Sequence, residues 1–400
     1  MNGFGSFHRT AEVIVKRVGL SQRRKAVGLS QEKLAENLGV DRSTVVRWEA
    51  GDTIPQPWHR PQLARALKVT VEHLDVLLAG HAEAAAPHDE RLEYALAHPS
   101  TVDTIIAAGL RHQIQKLDRQ YDDLPSSALL APAGQLHGQA VYLRSRASSA
   151  AARDELWAAE AESALLMGQL TWDASYRRDH PGADTYFDQA IAAAGHAGTV
   201  VVAAHAELRK SYVALYGRKD PRGGLTLAQR AADSAKGHST VLAGMATLHV
   251  GEAHAMLSDA RGCEVALHRA ERLLGEVRPD DPAAALFCRS THGRIAGSSY
   301  LRLGLLSRAE PTLRSSHTLM NHERKSTAIV LGNLSLACIR QRKLDEAVSH
   351  LHQAIAVLER TRGGGGLNVA FTAAREMLPW RDNAGVSEVS DRLLALMSAA

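Results

Sequence analysis

The sequence has few cysteines and aromatic residues and no long apolar run. Its three cysteines are an odd number without C-x-x-C spacing, which argues against a disulfide framework and a thiolate zinc site. Trp, Tyr and Phe number 5, 8 and 5 among 400 residues, so the core is built from small aliphatic side chains, which favours packed helices over β structure. No apolar stretch approaches the ~18 residues that cross a bilayer, so we expect no membrane partner.

Targeting and catalytic signals are also missing. The first twenty residues lack the apolar core and cleavage site of an export signal, so we expect a cytoplasmic protein. There is no G-x-S-x-G or H-E-x-x-H motif, and no G-K-[ST] follows the glycines at 363–366, which we interpret as a flexible break between helices. We therefore expect no enzyme activity, no cofactor and no metal site among the twenty histidines.

The net charge of +4 is confined to the first fifth of the chain. Residues 1–78 contain twelve Lys and Arg against eight Asp and Glu, whereas the rest contains 35 residues of each sign. A small basic domain followed by a large neutral one is typical of a polyanion-binding domain joined to a part that does not contact polyanions. An excess of this size also arises by chance, so charge alone leaves nucleic-acid binding open.

Residues 29–51, LSQEKLAENLGVDRSTVVRWEAG, predict two short helices joined by a tight turn. Ser30 is placed as the N-cap of the first helix, and Gly39 ends it. Asp41 can cap the second helix, which stops at Gly51. Two helices joined by a short turn that contains glycine form a helix-turn-helix unit, whose second helix enters the major groove by its amino-terminal end.

The second helix has one apolar and one polar face. We expect Val45, Val46 and Trp48 to face the core. The polar side chains that we expect on the outer face or at the helix start are those of Arg42, Ser43, Thr44 and Arg47.

This segment resembles the Cro and lambda-repressor family of helix-turn-helix regulators, also called the XRE family. The residues that carry the resemblance are Leu29-Ser30-Gln31, Leu34-Ala35, Gly39-Val40, Trp48-Glu49-x-Gly51 and Pro55. It covers about residues 13–78 and implies a five-helix domain, with further helices near 16–27, 58–67 and 71–78. The implied partner is double-stranded DNA.

The resemblance also implies a role for each polar residue. Gln31 would contact the DNA backbone, Thr44 would meet phosphate, and the base edges would be met by Arg42, Ser43 and Arg47. Arg24 and Glu49 resemble a structural ion pair of the family. Arg23 and Lys25 are open between a phosphate contact and an ordinary solvated surface.

The rest of the chain is predicted to be all-α. Residues 79–89 form a plausible linker, and residues 90–400 show helical periodicity punctuated by prolines. A pattern of a small residue, a larger one four positions on and a small one three further recurs at intervals of about 40 residues. Its copies are Ala183…Phe187…Ala190, Gly224…Ala228…Ala231, Cys263…Leu267…Ala270, Ala309…Leu313…Ser316 and Ala347…Leu351…Ala354.

These copies resemble tetratricopeptide repeats, in which small residues let two antiparallel helices pack closely. The predicted repeats are 164–197, 205–238, 244–277, 290–323 and 328–361. Their spacing exceeds the usual one, and the large aromatic and the proline of the family are missing, so a non-repetitive helical bundle stays open as the alternative. A solenoid of helix pairs has a concave face lined by the first helices, which suits a peptide or partner segment. Candidate ligand residues on that face are Arg209, Lys210, His249, Glu252, Arg294 and Asn333.

Together these features predict a DNA-binding transcriptional regulator with a tetratricopeptide-like body for dimerisation and for sensing a peptide or partner. The arrangement resembles regulators of actinobacteria and the peptide-responsive quorum-sensing regulators of Gram-positive bacteria. We expect a homodimer, because such regulators commonly bind palindromes. The alternative is an interaction scaffold or antitoxin-like partner whose helix-turn-helix domain, here called the head, serves only autoregulation.

Overall fold

The structure is a computed structural model that describes residues 18–50, 53, 55–56, 59–69, 74, 78, 87–320 and 324–398. In this part of the chain every regular element is a helix, which confirms the all-α prediction. None of these helices is long and apolar enough to cross a membrane. The chain divides into two compact units, Met1–Tyr94 and Ala95–Ala400.

The first unit contains four helices within the described residues. They are α1 Val18–Ala26, α2 Gln31–Leu38, α3 Arg42–Ala50 and α4 Arg60–Ala66. Leu74 and Leu78 are also helical and buried, and the other residues of the predicted helix at 71–78 lie outside the described part. The core consists of the buried side chains of Leu20, Leu34, Ala35, Leu38, Val45, Trp48, Leu63, Ala64, Leu67, Leu74 and Leu78.

Local signals fix the turn between α2 and α3, as the sequence predicts. The Ser30 hydroxyl accepts a hydrogen bond from the backbone N–H of Lys33 at 3.1 Å, which caps α2. Gly39 has φ 65°, and its N–H bonds back to the last turn of α2. Because this left-handed conformation favours glycine, Gly39 can end the helix without strain.

The second unit is an array of antiparallel helix pairs. Its elements, including one helix that begins in the first unit, are α5 Pro87–Ala97, α6 Thr104–Asp118, α7 Ser126–Arg146, α8 Ala150–Ala174, α9 His180–Ala197, α10 Val200–Tyr212, α11 Pro221–Ala235, α12 Thr240–Met256, α13 Ala260–Gly275, α14 Ser290–Arg302, α15 Leu306–Thr318, α16 Lys325–Arg340, α17 Leu344–Thr361, α18 Gly364–Glu376 and α19 Ala384–Ser398. Each predicted repeat corresponds to one pair, from α8–α9 to α16–α17. The first helix of a pair begins before the predicted repeat in four cases, by 14 residues for α8. Membership of the tetratricopeptide family stays a prediction. So does the linker at 79–89, of which residues 79–86 lie outside the described part.

Small residues allow the two helices of a pair to pack closely. All five copies of the recurring pattern are buried. The larger side chain of the second helix fills the space over a glycine of the first helix, in the pairs Phe187 over Gly168, Leu267 over Gly251 and Leu313 over Gly297. Because each of these glycines has no side chain, a single larger residue of the facing helix is enough to fill the space between the two helices.

The array closes on itself through a buried ion pair between its early and late helices. The Lys325 ammonium lies 2.9 Å from the Asp173 carboxylate and donates to the Ser126 hydroxyl at 2.7 Å. The side chains of Lys325 and Asp173 are 7% and 5% exposed. The second Asp173 oxygen accepts the backbone N–H of Gly364 at 2.8 Å. We call these four residues the clasp.

The glycine run at 363–366 is part of this contact, so its prediction as a flexible break is wrong. Gly364, Gly365 and Gly366 are buried in the first turn of α18. A Cβ at Gly364 would lie 2.8 Å from the Asp173 carbonyl oxygen, and one at Gly366 would lie 2.7 Å from the Ala328 Cβ. Glycine is required here because α18 packs directly against α8 and α16.

Candidate functional site

The outer face of α3 carries the predicted DNA-reading residues. Arg42, Ser43 and Arg47 are exposed, and Thr44 is half-buried. The prediction that Val46 faces the core is wrong, because Val46 is 37% exposed. Val46 follows Arg42 by four positions and Ser43 by three, so the helical period places it on the same outward face. This face therefore offers an apolar group beside its charged and hydroxyl groups.

A buried ion pair holds the base of this face, as the family resemblance implies. The Arg24 Nε donates to one Glu49 oxygen at 2.6 Å, and its Nη2 donates to the other at 3.3 Å. The Arg24 Nη1 also donates to the Leu29 carbonyl at 2.7 Å, and the Gln31 amide donates to Glu49 at 2.8 Å. Arg24 and Glu49 are 6% and 9% exposed. The pair thus joins α1, the start of α2 and the end of α3.

Arg42 is held by two side chains of the neighbouring helix α2. Its guanidinium lies 2.6 Å from the Glu32 carboxylate and donates to the Gln31 side-chain oxygen at 3.3 Å. Hydrogen bonds from the Glu32 backbone and from Ser30 lower the pKa of Glu32, and the charge of Arg42 adds to this effect. Glu32 therefore stays ionised at neutral pH and keeps its attraction for the Arg42 guanidinium.

The two residues left open in the sequence have different surroundings. Arg23 donates to the Leu67 carbonyl at 2.9 Å and to the Lys68 carbonyl at 2.7 Å, which ties α1 to the end of α4. Lys25 is exposed. Arg23 therefore has a structural role, while Lys25 keeps its place as a candidate for phosphate contact.

The six predicted ligand residues of the helical array each lie on the first helix of a helix pair, but their side chains have different partners. Arg209 and Lys210 lie on α10, His249 and Glu252 on α12, Arg294 on α14 and Asn333 on α16. Lys210 is paired at 2.5 Å with Asp188 on α9. Asn333 is 6% exposed, and no hydrogen bond to its side chain is present among the described residues.

His249 and Glu252 belong to a buried network that includes a tyrosine the sequence did not point to. A π-helical segment, Val213–Arg218, continues α10 and presents Tyr216 to α12. The Tyr216 hydroxyl donates to the Glu252 carboxylate and lies 3.0 Å from His249 Nδ1, which is 3.3 Å from Glu252. π-Helical turns occur often at functional sites. Helical periodicity gives no sign of them, although Tyr212 and Tyr216, four positions apart, are two of only eight tyrosines.

The network fixes the protonation of its members. Burial would raise the pKa of Glu252, but hydrogen bonds from His249 and Tyr216 and the charge of Arg302 outweigh it and lower this pKa to about 2. Burial lowers the pKa of His249. The hydrogen bond with Glu252 and the charge of Glu252 oppose this effect, while the charges of Arg294 and Arg209 add to it, and the net shift is downward. Glu252 is therefore a carboxylate at neutral pH, satisfied by groups of the protein itself.

One group of metal-ligating type, on α16 and α17, was also missed from the sequence. Ligand atoms of Cys338, Glu346 and His350 lie within 4.8 Å of one another. Glu346 is already paired with Arg314, and burial raises the pKa of the Cys338 thiol to about 11. Because the carboxylate has a partner and the thiol keeps its proton, we assign no ligand to this group.

Comparison with known proteins identifies the first unit. Residues 20–74 match the helix-turn-helix family, so this part of the chain is a helix-turn-helix domain. The crystal structure of Bacillus thuringiensis PlcR in complex with the peptide PapR7 and DNA is similar to this chain, with 12% identity and a TM-score of 0.34, over 78% of this chain and 100% of that chain. No curated protein matches the chain.

Proposed function

We propose that this protein is a sequence-specific DNA-binding transcriptional regulator rather than an enzyme. The observation that carries the proposal is the outer face of α3, where exposed Arg42, Ser43, Val46 and Arg47 stand on a helix anchored by a buried ion pair. The match of residues 20–74 to the helix-turn-helix family supports it. The basic charge of residues 1–78 suits a polyanionic partner.

The side chains of this face have complementary roles in the proposal. Arg47 and Arg42 can grip the O6 and N7 atoms of guanine with two hydrogen bonds. Val46 can contact the methyl group of thymine, while the short hydroxyl of Ser43 reaches a base edge. Thr44 and Gln31 would bind phosphates and set the position of the helix without reading sequence.

We further propose that the protein acts as a homodimer. One helix-turn-helix contacts few base pairs, and two heads bind well when half-sites lie about one helical turn apart, ~34 Å. Sedimentation of the free protein and of its DNA complex tests this. Dimers in the complex are expected, and a monomer in both samples would contradict the proposal.

The helical array is proposed as the sensor. Half-buried and buried polar groups line its first helices, among them Arg209, His249, Arg294 and Asn333, and they support binding of a peptide or partner segment. The proposal that the helical array senses a ligand is separate from the proposal that the helix-turn-helix head reads DNA, because each can be tested without the other.

Selection of duplexes from a random DNA library tests the DNA-binding proposal. We expect a motif with two inverted half-sites and an affinity ~10³-fold or more above that for unrelated duplexes at physiological salt. As a control, a variant in which Arg42, Val46 and Arg47 are all alanine should fold but enrich no motif. Selection of no motif by the wild-type protein would contradict the proposal.

A further inference from the structure

Two arginines of the array lie against the rings of Tyr212 and Tyr216, and the charge of a third arginine acts on the same two tyrosines. Arg177 follows α8, Arg209 lies on α10 and Arg294 on α14. The Arg177 Cζ lies 4.6 Å from the Trp172 ring centroid and 5.3 Å from that of Tyr216. The Arg209 Cζ lies 5.3 Å from the ring centroid of Tyr212, and the two tyrosine rings are 5.9 Å apart. The charge of Arg294 acts on both tyrosines.

Within the part of the chain that the structure describes, none of these three arginines forms an ion pair with a carboxylate within 4.0 Å. The Nε of Arg177 is buried without a hydrogen-bond partner. Glu252, the acid of the neighbouring network, is satisfied by Tyr216 and other donors. Asp118 lies near enough to Arg209 for the two charges to interact, and burial raises the pKa of Asp118, but the two residues form no ion pair within 4.0 Å.

The three arginine residues are also half-buried. A charge that is partly removed from water attracts an opposite charge more strongly than one on an open surface, because the surrounding dielectric is lower. Arginine presents a planar fork of donors that matches a carboxylate. An excess of positive charge in such surroundings is the feature expected of a site that binds an anion.

We propose that Arg177, Arg209 and Arg294 bind carboxylates of a short acidic peptide on the inner face of the array. The proposal rests on the sensor role given under the proposed function and specifies its ligand. Arg177 and Arg209 stand over different aromatic rings, which suits carboxylates spaced along a chain with apolar groups between them. The side-chain amide of Asn333 can bond a peptide backbone through its donor and its acceptor.

The test uses the full-length protein without DNA and measures binding by calorimetry. The probes are two hexapeptide libraries that differ only in whether one fixed position is Glu or Gln, each with free and with amidated carboxyl termini. We expect the Glu library to bind at least about tenfold more tightly than the Gln library. Loss of binding on amidation assigns the terminal carboxylate to the site, and retention assigns the side chain. Either result supports a carboxylate site, provided that substitution of Arg209 or Arg294 weakens the peptide binding.

Substitutions then connect the binding to the arginines. Arg209→Gln and Arg294→Gln should each weaken binding of the Glu library about tenfold or more, and Arg209→Lys should restore part of it. Lys210→Gln is the matched control. It removes a cation from the same helix as Arg209, but the charge of Lys210 is already paired with Asp188. Thermal unfolding of every variant confirms that it is folded.

Two results would overturn the inference, and they differ in what else they affect. Equal binding of the Glu and Gln libraries, unchanged in the arginine variants, would show that the arginines only stack on the rings, and the proposed peptide sensor would stand. Binding of neither library would overturn both the inference and the sensor role. The DNA-binding proposal is tested separately by the selection of DNA duplexes, so neither result affects it.

Discussion

Removal of the Glu49 carboxylate is the sharpest test of how the DNA-reading helix is held. Glu49→Ala leaves the Arg24 guanidinium, 6% exposed, with only the Leu29 carbonyl as a partner, and it deprives the Gln31 amide of its acceptor. Leaving one partner of a buried ion pair without the other costs about 3–5 kcal/mol. A domain of this size is stable by only several kcal/mol, so most of the stability of the head would be lost.

Hydrogen exchange of the full-length protein, followed by mass spectrometry, measures this loss locally. A cost of about 3–5 kcal/mol corresponds to exchange that is roughly 100- to 5,000-fold faster in peptides from residues 31–50. Peptides from the helical array serve as an internal reference and should not change. The surface control is Glu36→Ala, which removes an exposed pair with Lys33 and should leave exchange close to that of the wild-type protein.

A double variant separates the charge from the packing. Arg24→Met with Glu49→Met replaces both ions by apolar side chains, and such replacements of buried pairs are often neutral or stabilising. The double variant should therefore recover most of the protection that Glu49→Ala loses. Exchange as slow in Glu49→Ala as in Glu36→Ala would refute the reasoning, and so would a double variant as unprotected as Glu49→Ala.

Three further predictions concern the helical array. Gly168→Ala should lower the free energy of unfolding in urea by about 1–3 kcal/mol, because its Cβ would lie 2.5 Å from the Phe187 ring. The control Gly138→Ala, whose Cβ would have no atom within 4 Å, should raise it by ~0.5–1 kcal/mol. Equal effects of the two substitutions would contradict this prediction. Lys325→Met should cost about 3 kcal/mol because it leaves a buried carboxylate without its cation, and a loss below about 0.5 kcal/mol would show that the clasp contributes little. The pKa of Glu252 in the folded protein is about 2, below its ordinary 4.5, so its ionised carboxylate stabilises the fold fully above about pH 5 and this stabilisation is lost as the pH falls towards 2. Glu252→Gln should therefore weaken the pH dependence of the thermal unfolding temperature in acid. An unchanged pH profile would exclude Glu252 as the source of that dependence.

Features that depend on neighbouring residues were predictable from the sequence. The Ser30 cap, the Gly39 turn and the buried Trp48 follow from signals within a few positions, and the structure contains all three. The small and larger residues of the array recur with helical spacing, so their burial could also be predicted.

Features that depend on distant residues could not be predicted, apart from the Arg24–Glu49 pair that the family resemblance implies. Lys325 bonds to Ser126 across 199 positions, and Gly364 bonds to Asp173 across 191, so no local pattern marks the clasp or the reason for the glycine run. Val46 was misplaced because its apolar character outweighed its helical position. The π-helical turn that presents Tyr216 breaks the 3.6-residue period on which the sequence analysis depends.

Arg47→Ala tests whether the outer face of α3 reads DNA sequence. Affinity is measured for the selected duplex and for duplexes in which each base pair is changed to the other three. We expect a loss of about 1–3 kcal/mol on the selected duplex, with discrimination removed at one base position and kept at the others. Unchanged affinity, or an equal loss on all duplexes with every preference retained, would contradict it.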